Sequence, residues 1–269
     1  RPLVLRNLRS GESKIVNWVK EFSFSDDGMR IAASLATCGK DSTATDGIGI
    51  ISLPDTNMFL IDRDKVFYSA PVLNRAGTAV SYVASTDSTE TGTRKSVLYL
   101  ADLGKGGDSF PEPRALCDSR MSVAGADTLF VNQYTVPQFS HDGKRLIAGV
   151  ARYVAPDDTT IVDFERADLD IWRWDAPYTP PKELKMAEEA RKQTFPIVFD
   201  LASGQQRFIT DNPLVALKPS NRWDGDYVLV KDPSEGIISQ QWDYAAPEHL
   251  AVYDLRSGKQ TDITDAPQE

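Results

Sequence analysis

Long apolar runs, histidines and paired cysteines are what this 269-residue sequence has least of. No uninterrupted apolar stretch approaches the ~18 residues that a membrane-spanning helix needs. No positively charged segment precedes an apolar one at the start, so no secretory signal is read, and a first residue of Arg1 rather than methionine points to a segment excised from a longer chain. Cys38 and Cys117 lie far apart and lack the C-x-x-C spacing of a zinc or redox site. Two ordinary thiols is the plain reading; a single disulfide between them stays open, and neither choice fixes the compartment. Lys and Arg number 30 against 39 Asp and Glu, a net charge of −9, which disfavours nucleic acid as a partner because counterion release needs clustered cations. The sequence also contains no G-x-S-x-G, the sharp strand-to-helix turn on which a hydrolase serine sits.

What is present is a recurring turn that follows an aromatic or proline-containing lead-in and precedes a β-rich run. Four copies align: Glu21-Phe-Ser-Phe-Ser-Asp-Asp-Gly28, Ala70-Pro-Val-Leu-Asn-Arg-Ala-Gly77, Val136-Pro-Gln-Phe-Ser-His-Asp-Gly143 and Lys218-Pro-Ser-Asn-Arg-Trp-Asp-Gly225. Glycine is expected to close each turn at a positive φ, which it alone adopts without steric cost. A second turn type alternates with the first, as Asn7-Leu-Arg-Ser-Gly11, Asp102-Leu-Gly-Lys-Gly106, Asp200-Leu-Ala-Ser-Gly204 and Asp254-Leu-Arg-Ser-Gly258, with Ser52-Leu-Pro-Asp-Thr-Asn57 as a variant. Each follows an apolar strand such as Val97–Leu100 and leads into a shorter polar one such as Gln206–Thr210.

Turn centres fall near 11, 28, 55, 77, 105, 143, 204, 225 and 258 and alternate strictly between the two types. Two hairpins per unit make a four-stranded meander, the unit of a propeller blade, which recurs every ~40 to 50 residues. The spacing stretches after Asp170-Ile-Trp-Arg-Trp174, where Pro177 and Pro180-Pro181 precede a run rich in Ala, Glu, Lys, Leu and Met that favours helix. The expected fold is all-β: a β-propeller segment of about four four-stranded blades plus a leading hairpin, with a short helical insertion near 181–194. The expected division is the hairpin of a preceding blade at 1–18, blades at 19–66 and 67–119, a blade with the insertion at 129–212, and a blade at 213–265. Missing neighbours on either side would leave strand edges exposed, a route to a homodimer or an open arc.

The run Val136-Pro-Gln-Phe-Ser-His-Asp-Gly-Lys-Arg-Leu-Ile-Ala148, followed by Asp170-Ile-Trp172 and Asp200-Leu-Ala-Ser-Gly204, resembles the TolB-like propeller repeat. Such propellers occur as free-standing modules and as the N-terminal domain of prolyl oligopeptidase and dipeptidyl-peptidase-type serine peptidases; the long, irregular blades here look more like the second group. That resemblance implies a non-catalytic propeller that gates or positions peptide substrates for a C-terminal α/β-hydrolase domain of the parent chain. The Ser-Asp-His triad would lie in that domain, outside this segment, and the parent would be periplasmic or extracellular. The alternative is a free-standing TolB-like propeller acting as a protein-binding scaffold, and a third reading is a carbohydrate-active propeller with facing carboxylates.

No residue is assigned a catalytic, cofactor-binding or metal role. His141 stands at the variable position of Ser140-His141-Asp142-Gly143 and reads as a solvated turn residue, since consecutive residues of a tight turn cannot form a triad relay. His249 precedes a strand and is equally plain. Asp163, Glu165, Asp168 and Asp170 form an acidic cluster without the order of a calcium loop. Glu188-Glu189 is the sole adjacent glutamate pair, the feature with which dipeptidyl-peptidase relatives hold a substrate amino terminus, yet it sits in the helix-forming run and reads as a solvated face. Trp172 and Trp174 flank Arg173 in an alternating strand, which would pack both rings in the core between blades. Trp223, Trp242 and Tyr244 are expected to fill gaps between sheets rather than to contact a ligand.

Overall fold

Glycines and alternating apolar residues lay the chain out as a succession of antiparallel meanders. The computed structural model describes residues 2–37, 45–53, 55–88, 92–104, 112–117, 129–155, 171–239, 242–243 and 246–263. A two-stranded hairpin comes first, β1 (Leu3–Arg6) and β2 (Ser13–Val16). The first full sheet runs in chain order β3 (Val19–Phe24), β4 (Arg30–Leu35), β5 (Gly47–Ser52) and β6 (Asn57–Arg63). The second is β7 (Phe67–Leu73), β8 (Ala79–Ser85), β9 (Val97–Asp102) and β10 (Arg114–Cys117). In the third, the first strand comes in two pieces, β11 (Leu129–Phe130) and β12 (Gln138–Phe139), which both pair with β13 (Arg145–Arg152); β14 (Phe195–Asp200) and β15 (Gln206–Phe208) follow. The fourth sheet is β16 (Ala216–Pro219), β17 (Tyr227–Asp232), β18 (His249–Asp254) and β19 (Gln260–Asp262).

The middle strands of the first three sheets are largely buried on both faces because each sheet packs on the next, whereas β17 and β18 of the fourth bury one face. Leu3, Leu5 and Val16 of the hairpin meet Val19, Ile31 and Ile51 of the first sheet. Ala32 and Ile50 meet Val80 and Ala101 of the second. The largest cluster joins Val83, Leu98 and Leu100 to Phe139, Leu146, Ile197 and Phe199 of the third sheet, and a further one joins Ile147 and Val198 to Val228, Val230 and Tyr253 of the fourth. At ~25 cal/mol per Å² of apolar surface, these shared cores are the main favourable term at each junction.

Helix α1 spans Pro180–Lys192, with prolines in its first turn, Glu183 near its start and Arg191 and Lys192 at its end, an arrangement that suits the helix dipole. It ends just short of the expected residue 194 because Phe195 begins the buried strand β14. No residue of α1 is buried, so the insertion adds no side chain to the cores between sheets. Among the described residues no helix is long and apolar enough to cross a membrane.

Two local expectations are corrected. Ile171, Trp172, Arg173 and Trp174 do not form a strand: the segment is irregular and runs into a turn, leaving Trp172 66% and Trp174 92% exposed. The alternation has no neighbouring strand to pair with, and without a ladder the rings have no sheet face to pack on. The fourth turn also differs from its three counterparts. Gly28, Gly77 and Gly143 close their turns at φ of 69°, 65° and 74°, but the left-handed residues of the fourth are Asn221, Arg222 and Trp223, at 45°, 54° and 72°, and Gly225 is not among them.

Candidate functional site

The first-to-second-strand turns of the four sheets are built alike. Ser25 accepts from the Arg30 N–H and donates to Asp27, and Asp27 accepts from the Met29 N–H at 3.0 Å. Ser140, Asp142, Lys144 and Arg145 repeat that arrangement, with Ser140 Oγ donating to Asp142 Oδ1 at 2.8 Å and accepting from Arg145 N at 2.9 Å. In the second turn the Asn74 carboxamide accepts from both Thr78 N and Ala79 N. In the fourth, Ser220 plays the serine part, bonding Tyr227 through its side chain, and Gly225 N reaches Ser220 O across a loop two residues longer than the others. These bonds set the acidity of the turn carboxylates. Burial opposes ionisation of Asp142, but bonds from the Lys144 N–H, the Lys144 ammonium and the Ser140 hydroxyl outweigh it and hold the carboxyl at about 2. Asp27 is likewise lowered by the Ser25 hydroxyl and the Met29 N–H.

The turns meet one another along one rim. Asp26 N donates to Arg75 O at 3.2 Å, and the Arg75 Nε lies 3.3 Å from Asp26 Oδ2. Arg75 Nη1 then lies 2.7 Å from His141 Nε2. A guanidinium can only donate, so Nε2 is the accepting atom of this contact, and Nδ1 lies 3.4 Å from Asp224 Oδ2. Asp224 Oδ1 also accepts from Asp142 N at 2.7 Å, and His141 N donates to Arg222 O at 3.3 Å. A continuous polar chain thus runs Asp26, Arg75, His141, Asp224 across all four sheets. His141 is therefore no simply solvated residue: its side chain is 37% exposed and braces two junctions. Ser140, its neighbour, is buried and turned to Asp142, away from any relay.

Arginines latch the sheets beside this rim. Arg30 donates to Gly77 O at 2.6 Å and Gly104 O at 3.0 Å in the second sheet. Arg145, at the equivalent position, donates to Gly225 O at 2.6 Å and Trp223 O at 3.0 Å and pairs with Asp226 in the fourth. Two cavities of about 440 Å³ each open at the rim, one over the first three turns and one reaching to the fourth; Asp26, Arg75 and His141 wall both. Elsewhere, Asp62 is a buried hub: Lys65 Nζ sits 2.6 Å away, and the Tyr82 and Tyr68 hydroxyls donate to it at 2.6 and 3.2 Å. Burial first, then the Asp62 charge, raises both phenols far above their ordinary range, so they serve as fixed donors.

The other candidates scatter. His249 opens β18, 3.4 Å from Asp262. Glu188 is exposed on α1, 3.6 Å from Lys192, one turn away. Trp223 is buried between the third and fourth sheets as expected, whereas Trp242 is 73% exposed. Cys117 is buried in the largest core; Cys38, Tyr244 and the quartet Asp163, Glu165, Asp168 and Asp170 lie outside the described residues. Asp26, Arg75, Arg222 and Asp224 had no place among the candidates, although the first two share with His141 the position after the turn serine or asparagine.

Sheets of four antiparallel strands, the first, second and fourth in chain order, a third of the same plan with a divided first strand, and a leading hairpin make this chain a β-propeller segment. No family model and no curated protein matches it. Among solved structures the chain is similar to TolB from Acinetobacter baumannii, at 14% identity over 98% of this chain and 48% of that one, with a TM-score of 0.43. It is similar to the β-propeller domain of the trilobed protease from Pyrococcus furiosus, at 12% over 98% and 64% with a TM-score of 0.47, and to the acylaminoacyl peptidase of Pyrococcus horikoshii, at 13% over 98% and 35% with a TM-score of 0.46. The chain spans less than two thirds of the length of each.

Proposed function

We propose that this segment is the non-catalytic propeller part of a prolyl-oligopeptidase-like serine peptidase, periplasmic or extracellular, and that it gates or positions peptides for a hydrolase domain elsewhere in the parent. The observation that carries the reading is the rim, where turns from four successive sheets are tied into one continuous edge with peptide-sized cavities open along it. Of the run resembling the TolB-like repeat, Ser140, His141, Asp142 and Arg145 lie in that edge. Division of labour is supported by the turn serines, whose hydroxyls are committed to Asp27 and Asp142 rather than to a base. The isolated chain should give no turnover of chromogenic peptide substrates, while the parent should give serine-dependent cleavage that grows faster, and less selective for peptide length, when this segment is deleted. Turnover by the segment alone, or a parent devoid of peptidase activity, would overturn the reading.

A scaffold for another protein is the second reading, and the observation favouring it is the cluster of exposed Ile171, Trp172 and Trp174 beside α1.

A further inference from the structure

The longer fourth turn is the part of the rim that the repeat does not require. Asn221, Arg222 and Trp223 are three consecutive non-glycine residues held left-handed, a conformation that L side chains rarely adopt and that collects at ligand clamps. The two added residues carry Arg222 and Trp223 to the wall of the cavity that reaches the fourth sheet, which Arg75 and His141 also line. Among the described residues the Arg222 guanidinium has no hydrogen-bond or ion-pair partner, while Trp223 is buried and Phe139 forms apolar wall nearby.

We propose that this cavity, bounded by Arg75, His141 and Arg222, is a carboxylate site that holds an extended peptide and lays one apolar side chain of it against Phe139 and Trp223. The proposal rests on the reading that the rim handles peptides and names the kind it takes. Two guanidiniums and one carboxylate, Asp26, line the cavity, so it is locally cationic on a chain of net charge −9. The neighbouring acids do not cancel this. Asp224 is occupied by the Asp142 N–H and by His141, and Asp142 by Lys144 and Ser140. Asp26 already takes one side of Arg75, leaving Arg222 as the free fork, which suits a planar singly charged carboxylate in bidentate contact. The apolar wall favours a carboxylate flanked by an aliphatic side chain over a highly hydrated polyanion.

Binding to the whole 269-residue chain is read by isothermal titration with three probes: acetyl-Ala-Ala-Leu as the free acid, its C-terminal amide, and acetyl-Ala-Glu-Leu-amide. The free acid or the glutamate peptide should bind at least about tenfold more tightly than the uncharged amide, and which of the two does so tells a terminal from a side-chain carboxylate. Arg222→Gln should abolish that preference without changing the melting profile, since Arg222 is exposed and unpartnered; Arg9→Gln, on the leading hairpin, should leave it intact. Equal binding of the three peptides, no binding at millimolar concentration, or an unchanged preference in Arg222→Gln would overturn the proposal. Such a failure is separate from that of the peptidase reading, which is judged by turnover in the parent.

Discussion

Replacing Arg145 by methionine should loosen the fourth sheet from the third more than any other single change on the rim. The guanidinium is 12% exposed, donates to Gly225 O and Trp223 O at 2.6 and 3.0 Å, and pairs with Asp226. Each hydrogen bond from a charged donor contributes ~1.5 to 3 kcal/mol, and truncation leaves two carbonyls facing an apolar side chain. Removing one partner of a buried pair costs about 3 to 5 kcal/mol when the other is stranded. Asp226 is not stranded, because it is 31% exposed and keeps Arg256 at 3.3 Å, so the ion pair adds little to the loss. The two carbonyl bonds then dominate, and Arg145→Met should cost about 3 to 4 kcal/mol. Arg145→Lys, with one compact ammonium in place of a fork, should recover less than half of it. Urea unfolding followed by tryptophan fluorescence measures the loss, and hydrogen exchange should show faster opening of β16 and β17 with β4 and β8 unchanged. A loss under ~1 kcal/mol, or exchange accelerated equally in all sheets, would refute the assignment of this arginine as the latch of that junction.

Two further outcomes follow from buried polar groups. Tyr82→Phe keeps the ring stacked on Tyr99 with centroids 5.4 Å apart but removes the 2.6 Å bond to Asp62, and should lower stability by ~1.5 to 3 kcal/mol in the same urea experiment; a neutral result would mean that Lys65 and Tyr68 satisfy Asp62 without it. Asp142 has its folded value lowered to about 2, below the ordinary carboxylate value, so the stability it contributes is fully present above about pH 4 and is lost as pH falls toward 2. At 28% exposure the contribution is about 2 kcal/mol at most, and the acid limb of a melting-temperature profile should flatten in Asp142→Asn; an unchanged limb would contradict the turn bonds as its origin.

The meander was legible because two signals coincide in it: glycines at tight turns and period-two burial between them. Gly28, Gly77 and Gly143 adopt the positive φ expected of them, and strands such as β9 and β14 carry the apolar runs that marked them. The fourth turn misled because alignment without a gap set Trp223 against His141. In the fold Ser220 follows β16 as Ser140 follows β12, and two extra residues intervene before Gly225. Trp172 and Trp174 misled in another way: alternation predicts a strand only when a partner ladder exists, which is a tertiary fact. The rim was hidden by treating the variable turn position as free. Asp26, Arg75 and His141 differ in type because each contacts a different neighbour, so variation there encodes pairing between sheets rather than solvent.

The junctions between sheets are latched unequally at the rim. Arg30 and Arg145 tie the first sheet to the second and the third to the fourth through directional bonds to fixed carbonyls. At the corresponding position between second and third stands Ala79, packed on the apolar cluster of Val83, Leu98, Phe139 and Leu146. Apolar contact is non-directional and tolerates a small slide, whereas a guanidinium fork at 2.6 Å does not. The rim contact at this junction, Arg75 to His141, lies on the surface and resists displacement weakly, whereas the far ends of the strands are pinned by Thr93 N to Val154 O at 3.0 Å, Ser96 N to Val131 O at 3.0 Å and Arg94 N to Gln133 Oε1 at 2.7 Å. Relative motion should therefore concentrate at the rim end of the second and third sheets, hinged on those far-end bonds, where Arg75 and His141 wall the proposed carboxylate site and a bound peptide would bridge the gap. Spin labels on the equivalent exposed turns, at Asp55, Asp102, Ser203 and Ser257, test this by pulsed dipolar spectroscopy. The Asp102–Ser203 pair should show a broader distance distribution than Asp55–Asp102 or Ser203–Ser257 and should narrow when peptide is added; three equal widths would show that the arginine latches do not set the stiffness of the arc.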